Sequence, residues 1–375
     1  MVKVFVNGIS AKSGGGRSIL TNFLEVAHRR DDGFNYVVSV PSLDGYEAFA
    51  NERVELFAMG WTSNTALIPM ANMFFLPRLA SRSQCDVVFN LADIPMRTRL
   101  PQVFLFDWPY AIYTQSPAWK TMSRRDYIVR HLKLFLFKLL LNQVDLTIAQ
   151  SHLVQKKLEA QYDLSPVVVI KNSHHLESAR ATHNHDFALG GAFKVLCISR
   201  YYTHKNFEIM LPLARLIKER QSPIRIIVTL DADEAEGSRK FLNSVLEAGL
   251  GDVIVNIGSV PLDLVSALFR QVDALFLPTL LETLGLTYFE AMHCDKPILT
   301  SDLPFAKAVC GDAALYFDPF DAEAILASFE KIIADSELRK ALISNGQAIL
   351  QTMPSWEDTY DAYSHAFLTA MKSEK

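Results

Sequence analysis

The sequence predicts an α/β protein made of two parallel-sheet domains. Short runs of Val, Ile, Leu and Phe recur along the chain and alternate with longer stretches of helical periodicity, the pattern of a parallel sheet covered by helices. A length of 375 residues exceeds one ordinary domain and suits two. Half of the residues are hydrophobic and 21% are charged, enough apolar material for substantial cores and a composition that argues against disorder.

Four cysteines, Cys85, Cys197, Cys294 and Cys310, are scattered without C-x-x-C spacing. That usage fits a reducing compartment and provides neither a disulfide framework nor a zinc site. The opening M-V-K-V-F-V-N-G is a strand pattern, too short and wrongly flanked for a signal peptide. No run of eighteen apolar residues occurs, so no membrane-spanning helix is expected. The first 190 residues carry 20 Lys/Arg against 16 Asp/Glu, and the remainder 17 against 25. The mildly basic first half suits an anionic acceptor or a membrane surface better than the second half does. Nucleic acid is not indicated, because no basic patch with interleaved aromatics appears.

In chain order, Val2 to Asn7 is the first strand. The stretch S-G-G-G-R-S (Ser13 to Ser18) follows and leads into a helical run. Three glycines between strand and helix let a ligand approach the backbone and expose the first N–H groups of the helix. The loop is neither a P-loop nor a full G-x-G-x-x-G fingerprint, and taken alone it is a flexible turn. Strands are expected at Tyr36 to Val40, Val54 to Phe57, Val87 to Asn90, Gln102 to Phe106, Leu146 to Ala149 and Val167 to Ile170. Met70 to Pro77, M-A-N-M-F-F-L-P, suits either a core or a lipid-facing surface. Arg124 to Leu141 mixes cations with a heavily apolar helix. The favoured reading is an ordinary domain helix with a basic rim; an interfacial helix on an anionic membrane is the alternative.

The first domain is expected to cover residues 1–172, the linker 173–192, and the second domain 193–354, while about 355–375 are assigned to the first domain by the resemblance described below. The linker carries His174, His175, His183 and His185 without metal-site spacing and is expected to be solvated. The second domain opens with a strand ending near Ser199, and Arg200 and Lys205 follow in a polar loop, where two cations suit concentrated negative charge. After the strand Ile224 to Leu230, D-A-D-E-A-E-G-S is read as a solvated acidic loop. A further strand spans Val253 to Gly258. The apolar run Ala274 to Leu277 then stops at Pro278 and gives way, through a polar turn, to the helical L-T-Y-F-E-A-M-H. At such a strand–turn–helix junction the helix start favours a phosphate, Gly285 permits close approach, and Glu282 and Glu290 suit hydroxyl groups. Spacing alone leaves open an ordinary helix with scattered glutamates.

The stretch L-P-T-L-L-E-T-L-G-L-T-Y-F-E-A-M-H-C-D-K-P, with seven residues between its glutamates, resembles the signature of glycosyltransferase family 4, retaining enzymes of the GT-B fold. The similarity continues through K-P-I-L-T-S-D-L-P-F-A and G-D-A-A-L-Y-F-D-P, and R-Y-Y-T-H-K-N (Arg200 to Asn206) matches as well. The resemblance implies two Rossmann-like domains facing across a cleft, with the C-terminal helix S-W-E-D-T-Y-D-A-Y-S-H-A-F returning to the first domain.

It also implies roles. Arg200 and Lys205 would meet the diphosphate of a nucleotide-sugar donor, helped by backbone N–H groups of Thr283, Leu284, Gly285 and Leu286. Glu290 would hold the ribose and Glu282 the transferred sugar, while Ser259 and Val260 would border the base. Gly15 and Gly16, and more weakly Arg17, would contact donor or acceptor, and Asp107 would lie near the transferred sugar. There are departures: Phe106 stands where relatives often carry His, Ser173 replaces Gly in an Asn-Gly turn, the usual Gly-x-Gly after Leu230 is missing, and Ala308 stands where Glu is frequent. The implied chemistry needs no metal and no cofactor beyond the donor as co-substrate. The implied acceptor is a glycan or lipid-linked glycan of bacterial surface polysaccharide, O-antigen or lipopolysaccharide assembly, and the implied location is cytoplasmic with peripheral contact at the inner membrane. A catalytically idle nucleotide-sugar-binding protein and a sucrose- or trehalose-type synthase are the alternatives.

Overall fold

A four-residue strand buried on both faces needs helices above and below it, and several runs here have that character: Val87–Asn90, Gln102–Leu105, Leu146–Ala149, Ala274–Leu277 and Ile298–Ser301 are buried at every position. The computed structural model describes residues 1–12, 14–64, 67–164, 166–173 and 185–372. It divides into two units, Met1–Thr114 with Ser123–His175 and Met353–Lys375, and Gln115–Met122 with Leu176–Thr352.

The first unit holds seven strands, β1 (Val2–Asn7), β2 (Phe34–Val40), β3 (Val54–Ala58), β4 (Val87–Asn90), β5 (Gln102–Leu105), β6 (Leu146–Ala149) and β7 (Val167–Val169), in the order β3-β2-β1-β4-β5-β6-β7. All neighbours are parallel. The order runs outward in one direction from β1 and in the other from β4, so the loops leaving these two strands diverge. The register pairs Asn7 with Asn90 at the carboxyl ends of that pair.

The C-terminal helix Trp356–Lys372 belongs to this unit. Its buried Trp356, Tyr360, Tyr363, Phe367 and Ala370 follow i, i+4, i+7, i+11, i+14 spacing and form one apolar stripe. The stripe joins the core of Val4, Phe23, Tyr36 and Phe89. Tyr360 stacks on Phe23 at 5.5 Å, and its hydroxyl lies 2.6 Å from that of Tyr36 and donates to Asp32 at 2.8 Å.

The second unit has six parallel strands, β8 (Phe193–Cys197), β9 (Ile224–Val228), β10 (Ile254–Asn256), β11 (Ala274–Leu277), β12 (Ile298–Ser301) and β13 (Ala314–Phe317), in the order β10-β9-β8-β11-β12-β13. Its reversal falls between β8 and β11.

The expectation of an ordinary buried helix over Arg124 to Leu141 needs correction. Helix Arg124–Leu140 buries only Leu134, Phe137 and Leu140, and leaves Tyr127, Ile128, Val129, Leu132, Phe135 and Leu139 exposed. Met70, Phe74 and Phe75 are likewise exposed rather than in the core. Of the linker histidines, His174, His175 and His183 lie outside the described residues.

Candidate active site

The crevice of an open parallel sheet lies where neighbouring strands send their following loops in opposite directions. In the second unit that place is the carboxyl end of β8 and β11, and the two loops there carry Arg200 and Lys205 on one side and Glu282 on the other. Backbone bonds tie the loops together: Leu280 N donates to His204 O at 2.7 Å, and the Thr279 hydroxyl lies 3.2 Å from the same oxygen. Asn206, in the left-handed region at φ 59°, donates its side-chain amide to Pro278 O at 3.2 Å and Pro319 O at 2.8 Å. Asn tolerates this backbone conformation better than most residues. This staple across the loops after β8, β11 and β13 escaped the sequence reading; the only signal was an Asn following Lys205.

With the loops pinned, Lys205 Nζ and Glu282 Oε1 form an ion pair, with side chains only 17% and 14% exposed. The Thr279 hydroxyl lies 3.2 Å from the same Glu282 oxygen. Arg200 pairs with Glu234 in the acidic loop after β9, whose Asp231, Asp233, Glu234 and Glu236 are exposed, as expected of a solvated loop. Ser238 tightens that loop further by donating to Asp231 O at 2.6 Å. Asp231 and Asp233 join no third ligand: no group of three metal-binding side chains occurs among the described residues.

Gly285 precedes helix Leu286–His293 at φ 74°, and a Cβ there would meet the Tyr288 ring at 2.8 Å, so both conformation and space require glycine. Tyr288 is locked by a 2.8 Å hydrogen bond between its hydroxyl and that of Thr300, which donates to Leu277 O at 3.0 Å. The helix start is therefore held against β11 and β12, with its first amides at the switch point. Thr283 and Leu284 are buried in the approach to it. Glu290, one turn further, is partly exposed, and loss of hydration pushes its carboxyl up to about 7. Ser259 is exposed and Val260 half-buried beyond β10, two strands away from β8.

In the first unit the glycine loop falls at the other switch point, between β1 and β4. Helix Gly14–Arg29 begins with Gly14 at φ 59°, and Gly15 and Gly16 form its first turn. Arg17 turns to the neighbouring loop, donating to Asp44 O at 3.4 Å and lying 5.6 Å above the Tyr46 ring. Asn7 fixes the strand ends by donating to Asn72 at 2.7 Å and Asn90 at 3.0 Å. Asp107 follows β5 and accepts a 2.9 Å bond from Gln150; Asn172 donates to Gln150 at 2.8 Å, and Tyr363 to Asn172. Gln150, Asn172 and Tyr363 are thus supports that the sequence reading missed. Phe106 is fully buried between Phe104 and Phe137, so its ring serves the core. Ala308 is exposed on helix Pro304–Cys310.

Residues 181–349 match the model of the family described as Glycosyl transferases group 1. That stretch is similar to the family, and the two-sheet architecture of the chain is the GT-B fold. It is 26% identical over 165 residues to the D-inositol 3-phosphate glycosyltransferase of Pseudarthrobacter chlorophenolicus, covering 43% of this chain and 38% of that protein. It is 32% identical over 111 residues to the O-antigen chain mannosyltransferase B of Escherichia coli, covering 28% of this chain and 29% of that protein. The matched stretches thus span well under half of these curated relatives. Among solved structures, WaaG, a glycosyltransferase involved in lipopolysaccharide biosynthesis, superposes with a TM-score of 0.73 at 14% identity, covering 98% of this chain and 99% of that one. Anabaena Alr3699/HepE, in complex with UDP and glucose, gives 0.71 at 16% identity, covering 98% and 100%.

Proposed function

We propose that the protein is a retaining, family 4 type glycosyltransferase that moves a sugar from a nucleotide-diphosphate sugar to a glycan or lipid-linked acceptor of surface polysaccharide assembly. The observation that carries this reading is the Lys205–Glu282 pair at the β8/β11 switch point, beside the start of helix Leu286–His293. Lys205, Arg200 and the first amides of the helix supply positive charge where a departing diphosphate would gather negative charge. Glu282 accepts hydrogen bonds from the transferred sugar, and Glu290 from the ribose. The acceptor attacks on the face that the diphosphate leaves, and a diphosphate oxygen takes the acceptor's proton, so no side-chain nucleophile is needed. In this reading Asp107, which accepts a hydrogen bond from Gln150, serves the acceptor. The HepE structure's UDP and the two curated relatives, whose names are those of sugar transferases, support the donor class.

The test is donor turnover by purified protein with UDP- and GDP-sugars. Lys205→Ala and Glu290→Ala should each lower donor use by about 100-fold or more while leaving the circular dichroism spectrum intact. Near-normal donor kinetics in both variants would contradict the assignment. Binding of a donor without transfer or hydrolysis would favour an idle binding protein, a reading to which the buried Phe106 in place of His gives some weight.

A further inference from the structure

A soluble domain normally turns the apolar stripe of a surface helix inward. Helix Arg124–Leu140 does the reverse over much of its length. Ile128, Leu132, Phe135 and Leu139 repeat at i, i+4, i+7 and i+11, share one face, and are each between 53% and 66% exposed. Val129, 57% exposed, widens this face. The opposite side carries the contacts with the protein: Leu134, Phe137 and Leu140 are buried, Lys133 pairs with Asp93, and Arg130 lies 4.0 Å above the Tyr110 ring. The inward face is therefore satisfied, and the outward stripe is additional apolar surface.

Charge indicates what covers it. At 100° per residue, Arg124 and Arg125 flank Ile128 within about 60° on either side, and His131 and Lys138 edge the same stripe. Arg124 and Arg125 form no ion pair among the described residues. Asp126, the only acidic residue of the helix, lies roughly 160° round from Ile128 and accepts from the Ser123 hydroxyl at 2.8 Å. A second copy seated on this face would bring rows of cations together with no carboxylate between them. An anionic lipid surface answers both features: headgroups meet the flanking cations, and the stripe enters the acyl boundary.

We propose that the outward face of helix Arg124–Leu140 docks this protein on anionic lipid, with Ile128, Leu132, Phe135 and Leu139 inserted and Arg124, Arg125 and Lys138 at the headgroups. No helix among the described residues is long and apolar enough to cross a membrane, so the contact is interfacial. It stands independently of the transferase reading.

The test is co-sedimentation of the full chain with vesicles of equal parts phosphatidylglycerol and phosphatidylcholine, and with phosphatidylcholine alone. Binding is expected to the anionic vesicles only and should weaken with salt. Arg124→Glu with Arg125→Glu should lower the partition at least about 25-fold, roughly fivefold per cation. Leu132→Ser with Phe135→Ser should lower it roughly tenfold or more, with the thermal midpoint unchanged because both side chains are exposed. No binding to anionic vesicles, or binding that both double variants retain, overturns the proposal. A concentration-dependent dimer that Leu132→Ser with Phe135→Ser abolishes would place a second copy on the face and overturn it equally.

Discussion

Glu290 lies one turn inside helix Leu286–His293, and burial pushes its carboxyl up to about 7. A raised carboxyl means that the folded protein keeps a proton that the unfolded chain releases near the ordinary glutamate value. Glu290 therefore opposes folding progressively as pH rises from that value towards 7, and its cost is constant above the window. The thermal midpoint should fall across this range, and Glu290→Gln should flatten that part of the profile. Donor affinity should move the other way, rising as Glu290 ionises and becomes a stronger acceptor for hydroxyls; isothermal titration across the same pH values checks both signs. The types and spacing of Glu282 and Glu290 were legible in the sequence. Lys205 as the partner of Glu282 was not, because the two are 77 positions apart and meet only through the pairing of β8 with β11.

At the scale of elements, the strand–turn–helix at β11 depends on Gly285. Gly285→Ala meets two penalties, a side chain at φ 74° and a Cβ 2.8 Å from the Tyr288 ring, and should cost about 1–3 kcal/mol. Urea denaturation measures this, and an unchanged midpoint would remove the claim that this turn is strained for other residues. Strand positions were largely legible because buried parallel strands are nearly continuous apolar runs: Val2–Asn7, Val87–Asn90 and Leu146–Ala149 lie where their residues indicated. Helix Arg124–Leu140 was legible as a helix, with both a domain-packed and an interfacial placement open. Periodicity says which residues share a face, whereas the neighbours that would cover that face come from distant parts of the chain.

For the whole molecule, the first unit is completed by the last helix of the chain. Trp356, Tyr360, Tyr363 and Phe367 are all buried in its core. Losing large aromatics costs roughly 3–5 kcal/mol each, against a total stability of about 5–15 kcal/mol for a domain. A chain ending at Thr352 should therefore lose the first unit's cooperative unfolding transition, measured by calorimetry. A truncated chain with its transitions intact would show that the helix is dispensable. By itself the sequence determined the order of strands and helices, the two-domain plan, the glycine loop and the two-glutamate segment, because these rest on local periodicity, turn chemistry and motif. Only the tertiary structure decided that Arg200 lies against Glu234, that Asn206 staples three loops, that Gln150, Asn172 and Tyr363 support Asp107, and that one helix presents its apolar stripe outward. Each depends on which strands become neighbours and on which faces are left uncovered. Such relations join distant residues, and no local pattern in the chain encodes them.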